Sequence, residues 1–467
     1  MTVVLDGRSL TLEDVVRVAR EGARVEVAAE ALERVARARA HVEAVVGADV
    51  EAYGLTTGVG VRKRARIEQE GHDRLLVRQH LIAQGPHAPP DVVRATALRL
   101  ANGLARGTTA ARPELLERLV GRLNEGRLPP VRILGSVGQA DLAPLAELAD
   151  GLLDDLEPVR GEAIGLLNHN SFSTGWGALS VSDAGVLLDA LDVAAALDVE
   201  AFGAAAAAFD PVLADARPYP GVRATLDRLA KLLDGSERVS RNLQDPLVFR
   251  SIPSLHGAAR DAFAFVTGQL AVELNTVQSN PIVVEDGRVL SVGTFESAAL
   301  ATALDVARLA LGPVLAAAAE RAVKLLQAPL TGLPEGLAER TGLAESALSE
   351  LGIAVQAFAA EARLLAQPVS LELVSTTQAE GLEDRMTMAP LAARRLAEQV
   401  ELGSRVVSIE LFLAAQACDL RGHRLGHGTD AARRAVRDLV PFVAEGDALP
   451  DLEPLAEHVA RGGLGRP

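Results

Sequence analysis

Apolar residues recur along most of this chain at the three-and-four spacing of helices buried along one stripe, and in three regions the stripe widens to nearly the whole circumference. The first eight residues read as a short strand and turn. "TLEDVVRVAR" then opens a helix with Thr11 as N-cap and Glu13 and Asp14 in the first turn, where carboxylates suit the unpaired amides. A second helix runs from Ala28 to Val46. "EAYGLTTGVGVRKRARI" breaks the period with its glycines and threonines, which predicts a loop over residues 52 to 66. Helical spacing returns over Gln69 to Gln84, Pro90 to Leu104 and Arg112 to Asn124, the last ended by "EGRLPP". Gly177 to Leu233, Phe295 to Leu326 and Ala344 to Ala366 read as long Ala/Leu/Val helices buried on most sides. Between them "RNLQDPLVFRSIPSLHG" is polar and proline-bearing, a poor packing segment and a good place for chemistry. The tail after Asp419 carries one helix near Ala431 to Val440. This divides the chain into a mixed, mainly helical segment (1–185), a central long-helix bundle (186–420) and a tail with a short helix (421–467).

Composition narrows the fold. The chain is 49% hydrophobic but only 3% aromatic, a balance that favours closely packed helices over a sandwich of strands. The expectation is a mostly α protein whose apolar long helices are covered by further copies in a homotetramer. A formal charge of −15 argues against a nucleic-acid footprint. The start of the chain has no basic region followed by an apolar one, so neither export nor a membrane is expected and the location is expected to be cytoplasmic. The single cysteine, Cys418, cannot form an internal disulfide and reads as core packing. His423 and His427 have the spacing of a helical metal pair, but "RGHRLGHGTD" is too rich in glycine for a helix and offers no acidic third ligand, so no metal is expected. The cations of "RKRAR", from Arg62, read as a solvated loop face; the alternatives are that they lower the pKa of a nearby tyrosine or meet an acidic substrate.

Seven stretches carry a resemblance: "YGLTTGVG" at Tyr53, "GSVGQADLAPLAELA" at Gly135, "LLNHNSFST" at Leu166, "QDPLVFRSIPSLHG" at Gln244, "NTVQSNPIVV" at Asn275, "GLEDRMTMAPLAARR" at Gly381 and "AAQACDLR" at Ala414. In this order they resemble the aromatic amino acid ammonia-lyases, the histidine and phenylalanine ammonia-lyases, over most of the chain. The resemblance implies the long-helix fold shared with fumarase and aspartase, a tetramer whose active sites each draw on three subunits, and a small amino-acid-like substrate. Residue by residue it implies Tyr53 as the base that removes the β-proton, Glu383 near the substrate's amino group and Arg250 as a fork for its carboxylate. It also implies Asn168 and Gln244 as orienting groups and Phe295 as a pocket wall.

The departures matter as much. The family's pattern reads G-S-V-G-A-S-G-D-L, and its Ala-Ser-Gly cyclises into a methylidene-imidazolone electrophile. Here Gly138 is followed by Gln139 and Ala140 and then Asp141, with no serine to dehydrate, so no such group and no other cofactor is expected. Ile82 stands where histidine ammonia-lyases read the imidazole, and Leu247 where a second tyrosine is common. His169 and Asn170 replace the usual Gly-Thr after Asn168, which makes His169 a new titratable group, either a base or substrate ligand or a satisfied histidine at a helix start. Ammonia leaves an α-carbon poorly and a β-proton is barely acidic, so without the electrophile the substrate must bring its own activation. Ergothionase-like relatives expel trimethylamine from a histidine betaine, and this is the precedent for an electrophile-free carbon–nitrogen lyase. The competing readings are a non-catalytic ligand-binding or scaffolding homologue and a homologue turned to another reaction such as a cyclisation. A fumarase-type enzyme would carry a "GSSxMPxK" loop, which is not found.

Overall fold

The computed structural model describes residues 2–371 and 378–464. The chain folds into two compact units: Met1–Ser182 with Thr267–Asp305 and Pro368–Arg394, and Asp183–Val266 with Val306–Gln367 and Arg395–Pro467. Both are built mainly from helices, as the periodicity predicts.

In the first unit, strand Thr2–Leu5 pairs in parallel with Arg24–Val27, a second strand that the pattern did not single out because its "RVEV" alternation is only four residues long. Thr11 caps helix Leu12–Ala19 as expected. Its hydroxyl accepts the Asp14 amide at 3.1 Å, and the Asp14 carboxylate returns a bond to the Thr11 amide at 3.1 Å, a reciprocal capping box. Helix Ala29–Gly47 follows. The expected helix from Gln69 to Gln84 shortens to His72–Gln79, because Gly71 enters it in the left-handed region (φ 72°) and Gln84–His87 instead pairs antiparallel with Arg132–Leu134. Helices Pro90–Ala105 and Pro113–Asn124 lie where the spacing places them, each with proline in its first turn. Helix Ser171–Phe202 enters this unit almost wholly buried. A Cβ on its Gly175 would come within 2.8 Å of the backbone of Ala95 and Thr96, so the two helices approach at a point that only glycine allows.

The second unit corrects three expectations. The stretch from Gly177 to Leu233 is not continuous helix: it ends at Phe202, Gly203 turns the chain in the left-handed region (φ 71°), and helix starts afresh at Pro220–Leu232. The helix expected from Ala344 begins only at Leu351 and runs to Leu365. Near the end, helix His427–Leu439 starts four residues earlier than expected, taking in the "HGTD" thought too glycine-rich, and helix Glu453–Ala460 was not anticipated. His423 lies outside that helix and meets the buried Glu200 carboxylate at 3.0 Å, an acidic neighbour the sequence did not suggest. Among the described residues no group of three such side chains is placed to hold a metal ion. Cys418 is buried.

This unit also buries charge. Arg321, fully enclosed, reaches Asp198 at 2.9 Å and Glu410 at 2.7 Å, both enclosed as well. Nearby in sequence to Asp198, Asp192 binds His256 at 2.8 Å, Arg228 at 2.8 Å and Arg260. Helix Ala298–Leu325, which runs from the first unit into the second, is long and apolar enough to cross a membrane, yet most of its apolar window is buried inside the protein. Apolar side chains remain exposed on the long helices, Phe265 and Val272 on Ile252–Glu273 and Leu309 on Ala298–Leu325.

Candidate functional site

Five segments far apart in the chain converge in the first unit. The Tyr53 loop packs on residues 379 to 383: Lys63 reaches Glu380 at 3.5 Å, and the Glu383 carboxylate is near enough to act on the Tyr53 hydroxyl. The same segment continues to Thr387 and Met388, whose amides both donate to the Val137 carbonyl, at 3.1 and 2.9 Å. The Gly138 carbonyl is held by the hydroxyls of Ser297 (2.7 Å) and Thr387 (2.8 Å). Gln139 bridges Glu296, and Asn170 donates to the Phe295 carbonyl. Asn168 donates to the Asn280 carbonyl at 2.6 Å. Tyr53, Gln139, Ala140, Asn168, His169, Phe295 and Glu383 thus share this unit. Ile82 belongs to it too, exposed, its carbonyl beside Gly135. Gln244, Leu247 and Arg250 belong to the second unit, all exposed; the Arg250 Nε donates to the Asp245 carbonyl at 2.7 Å.

The loop that carries the family's electrophile has neither the serine nor the glycine that cyclisation requires. Gly138 (φ 80°) and Ala140 (φ 57°) both sit in the left-handed region, and Ala140 is buried. A Cβ on Gly138 would collide with Thr387 Oγ1 and the backbone of Ala389, so only glycine fits. The one serine of the loop, Ser136, is committed elsewhere: it donates to Asp141 Oδ1 at 3.0 Å and accepts the Gly138 amide at 3.2 Å. These residues do not fit a cyclised tripeptide.

Electrostatics revise two expectations. The Tyr53 hydroxyl is raised above the ordinary phenol value by burial, against the pull of the Gly60 amide (3.1 Å), and is raised further by Glu383. The "RKRAR" cations do not lower it. Arg62, Arg64 and Arg66 are exposed and Arg66 pairs with Asp49 at 3.1 Å, so the group is the solvated face first described. Glu383 is raised as well, by lost solvation and by Asp384. His169 is almost fully enclosed, and burial, aided by the Arg99 guanidinium and only slightly opposed by the Gly165 carbonyl, takes it down to about 3. Neither ring nitrogen has a partner of normal hydrogen-bond geometry. It is therefore neutral at physiological pH. Asp141 is enclosed and raised to about 6, by burial first, against the Ser173 amide and hydroxyl and the Ser136 hydroxyl.

Sequence reasoning missed Glu296, Arg385 and the role of Asn170. Each lies next to or within two residues of a site residue already matched, in "GTFES", "LEDR" and "LLNHN", and that adjacency was the available signal.

Residues 10–157 and 151–438 match the profile of the family described as aromatic amino acid lyase. The histidine ammonia-lyase of Symbiobacterium thermophilum is 36% identical, over 99% of this chain and 98% of that one, and the histidine ammonia-lyase of Clostridium tetani 34%, over 94% and 92%. Among solved structures, ergothionase from Treponema denticola, an ergothioneine-degrading enzyme in complex with desmethyl-ergothioneine sulfonic acid, superposes with a TM-score of 0.93 at 25% identity, covering 99% of both chains. Tyrosine aminomutase from Streptomyces globisporus also gives 0.93, at 28% identity over 99% and 98%. Matched along nearly its whole length in sequence and in fold, this chain belongs to the aromatic amino acid lyase family.

Proposed function

We propose that this protein is a carbon–nitrogen lyase that works without an internal electrophile, expelling a trialkylamine from a betaine-like substrate. The observation that carries the reading is the Gly138–Gln139–Ala140–Asp141 loop. No residue there can dehydrate, and Gln139 fills its position with a carboxamide bound to Glu296. A trialkylammonium needs no proton to leave as a neutral amine and acidifies the neighbouring C–H bonds inductively, so it lowers the barrier that the missing electrophile would have lowered.

In this reading Tyr53 removes the β-proton. Its raised pKa is a difficulty for an ordinary substrate and suits a cationic one. A permanent positive charge bound beside Glu383 offsets the charge that disfavours the phenolate, and the Gly60 amide already donates to the phenol oxygen. Glu383 holds the cation, Asn168 and Gln244 orient the substrate, and Arg250 takes its carboxylate in a bidentate fork. Phe295, Ile82 and Leu247 line the pocket, and the neutral His169 serves as a substrate ligand rather than a base. Gln244, Leu247 and Arg250 reach a neighbouring copy's site in a homotetramer, which also covers Phe265, Val272 and Leu309. The likeness to ergothionase supports this substrate class, and the tetramer is tested by the mass in solution at micromolar concentration.

The deciding experiment compares one betaine with its free amino acid, using wild type and Tyr53→Phe with mass-spectrometric detection of products. The betaine should eliminate and the free amino acid should be inert or nearly so, and Tyr53→Phe should abolish the difference. Equal turnover of both substrates, or undiminished elimination by Tyr53→Phe, overturns the mechanism.

A further inference from the structure

The loop in place of the electrophile presents a carboxamide whose orientation is determined. Gln139 Nε2 donates to Glu296 Oε2 at 2.8 Å, and the backbones of the two residues form an antiparallel bridge. A carboxylate only accepts, so the amide nitrogen must face Glu296 and the carbonyl oxygen the opposite way. Glu296 is fixed in turn. Arg385 Nε donates to the same oxygen at 3.1 Å, and the Ala298 amide donates to the other at 3.0 Å. Phe295, adjacent in the chain, is pinned through its carbonyl by Asn170, so a half-buried aromatic ring stands on the same short segment.

A quaternary ammonium has no N–H to donate. It is recognised by charge, by carbonyl dipoles and by aromatic faces, whereas a primary ammonium seeks three acceptors. Here the Glu296 oxygens already accept from Gln139, Arg385 and the Ala298 amide, so Gln139, Glu296 and Phe295 together offer charge, a carbonyl dipole and an aromatic ring, a set suited to a cation that has no N–H to donate. We infer that Gln139 and Glu296 complete, with Glu383, the subsite for the substrate's cationic nitrogen, in the volume a cyclised tripeptide would fill: the Gln139 carbonyl oxygen contacts the cation, and Glu296, steadied by Arg385, orients that carbonyl and adds its negative charge to that of Glu383. Both are specificity-determining residues. The inference rests on the betaine-lyase reading and names the group that selects its substrate.

Binding tests the subsite separately from turnover. In a Tyr53→Phe background of the full chain, calorimetry compares the trimethylammonium betaine of histidine with the isostere that lacks the cation and keeps the carboxylate, in which a tert-butyl carbon replaces the quaternary nitrogen. The parent should prefer the cation by about tenfold or more. Gln139→Met, similar in length but without the dipole, should reduce that preference to about twofold or less at an unchanged melting temperature. Glu296→Gln, which keeps an acceptor for the Gln139 amide but removes the charge, should reduce it severalfold, and it keeps the test decisive if Gln139→Met does not fold. No preference in the parent, or a preference undiminished in Gln139→Met, overturns the subsite. If only Glu296→Gln loses the preference, the cation contacts Glu296 directly and the Gln139 assignment falls. Cation preference without betaine turnover by wild type counts against the lyase reading and leaves the subsite standing.

Discussion

Asp141 accepts the amide of Ser173 through Oδ2 at 2.8 Å and the Ser173 hydroxyl at 2.8 Å, so the residue that closes the Gln139–Ala140 loop also caps the first turn of the 32-residue helix Ser171–Phe202. The cap places a carboxylate where helix amides are unpaired, but it does so in an enclosed setting, and burial outweighs the donors and raises the group to about 6.

Because this pKa lies above its unfolded value, the associated stability is fully present below the unfolded pKa and is lost as pH rises through 6. The loss amounts to roughly 3 kcal/mol for a shift of this size. Asp141→Asn is neutral throughout, so its stability relative to wild type should improve by up to that amount between pH 4 and pH 8, read from urea midpoints. A pH-independent difference would show that Asp141 is not raised.

His169 acts with the opposite sign. Its pKa falls on folding to about 3, so its own contribution to stability is complete above about 6.5 and is lost at up to about 1.4 kcal/mol per pH unit as pH falls from there toward 3. His169→Asn should make the acid limb of the stability curve shallower by one proton. An unchanged slope would mean that the histidine is protonated in the fold.

Burial raises Tyr53 and Glu383 raises it further, so Glu383→Gln should shift the alkaline rise of kcat/KM toward lower pH. A limb that stays in place would remove Tyr53 as the titrating base.

Arg250→Lys keeps the charge and loses the planar fork. If Arg250 takes the substrate carboxylate, kcat/KM on the betaine should drop by about 10- to 100-fold with the melting temperature held. Wild-type activity in this variant would withdraw the role.

Arg321 is the sole cation directly bonded to the enclosed Asp198 and Glu410 among the described residues, and both acids lean on it; Asp198 is pushed well up by burial and by Glu410. Arg321→Met should cost about 3–5 kcal/mol, measured by thermal or urea unfolding, and neutralising both acids in the same chain should recover part of it. A loss below about 1 kcal/mol would show that the acids share a proton and need no cation.

Much of the local structure was legible because its causes are local. The Thr11 capping box needs only residues 11 to 14, and the Pro-initiated helices at Pro90 and Pro113 announce themselves in one turn. The failures have equally definite causes. An Ala-rich stretch has the same apolar spacing on either side of a break, so only the left-handed turn at Gly203 reveals where the long helix stops. The four-residue strand Arg24–Val27 is too short to show its period without the partner at Thr2–Leu5.

The sequence by itself determined the family, through seven ordered stretches, and determined the chemistry that the loop cannot support, since a missing serine needs no structure to be noticed. Tertiary structure alone decided what stands there instead. Gln139 and Glu296 are 157 positions apart, and Asp141 and Ser173 are 32 apart, so no periodicity links them. It also decided the direction of the Tyr53, His169 and Asp141 pKa shifts, because each depends on how much water the fold removes and which charges it brings near, and both are properties of packing between distant segments.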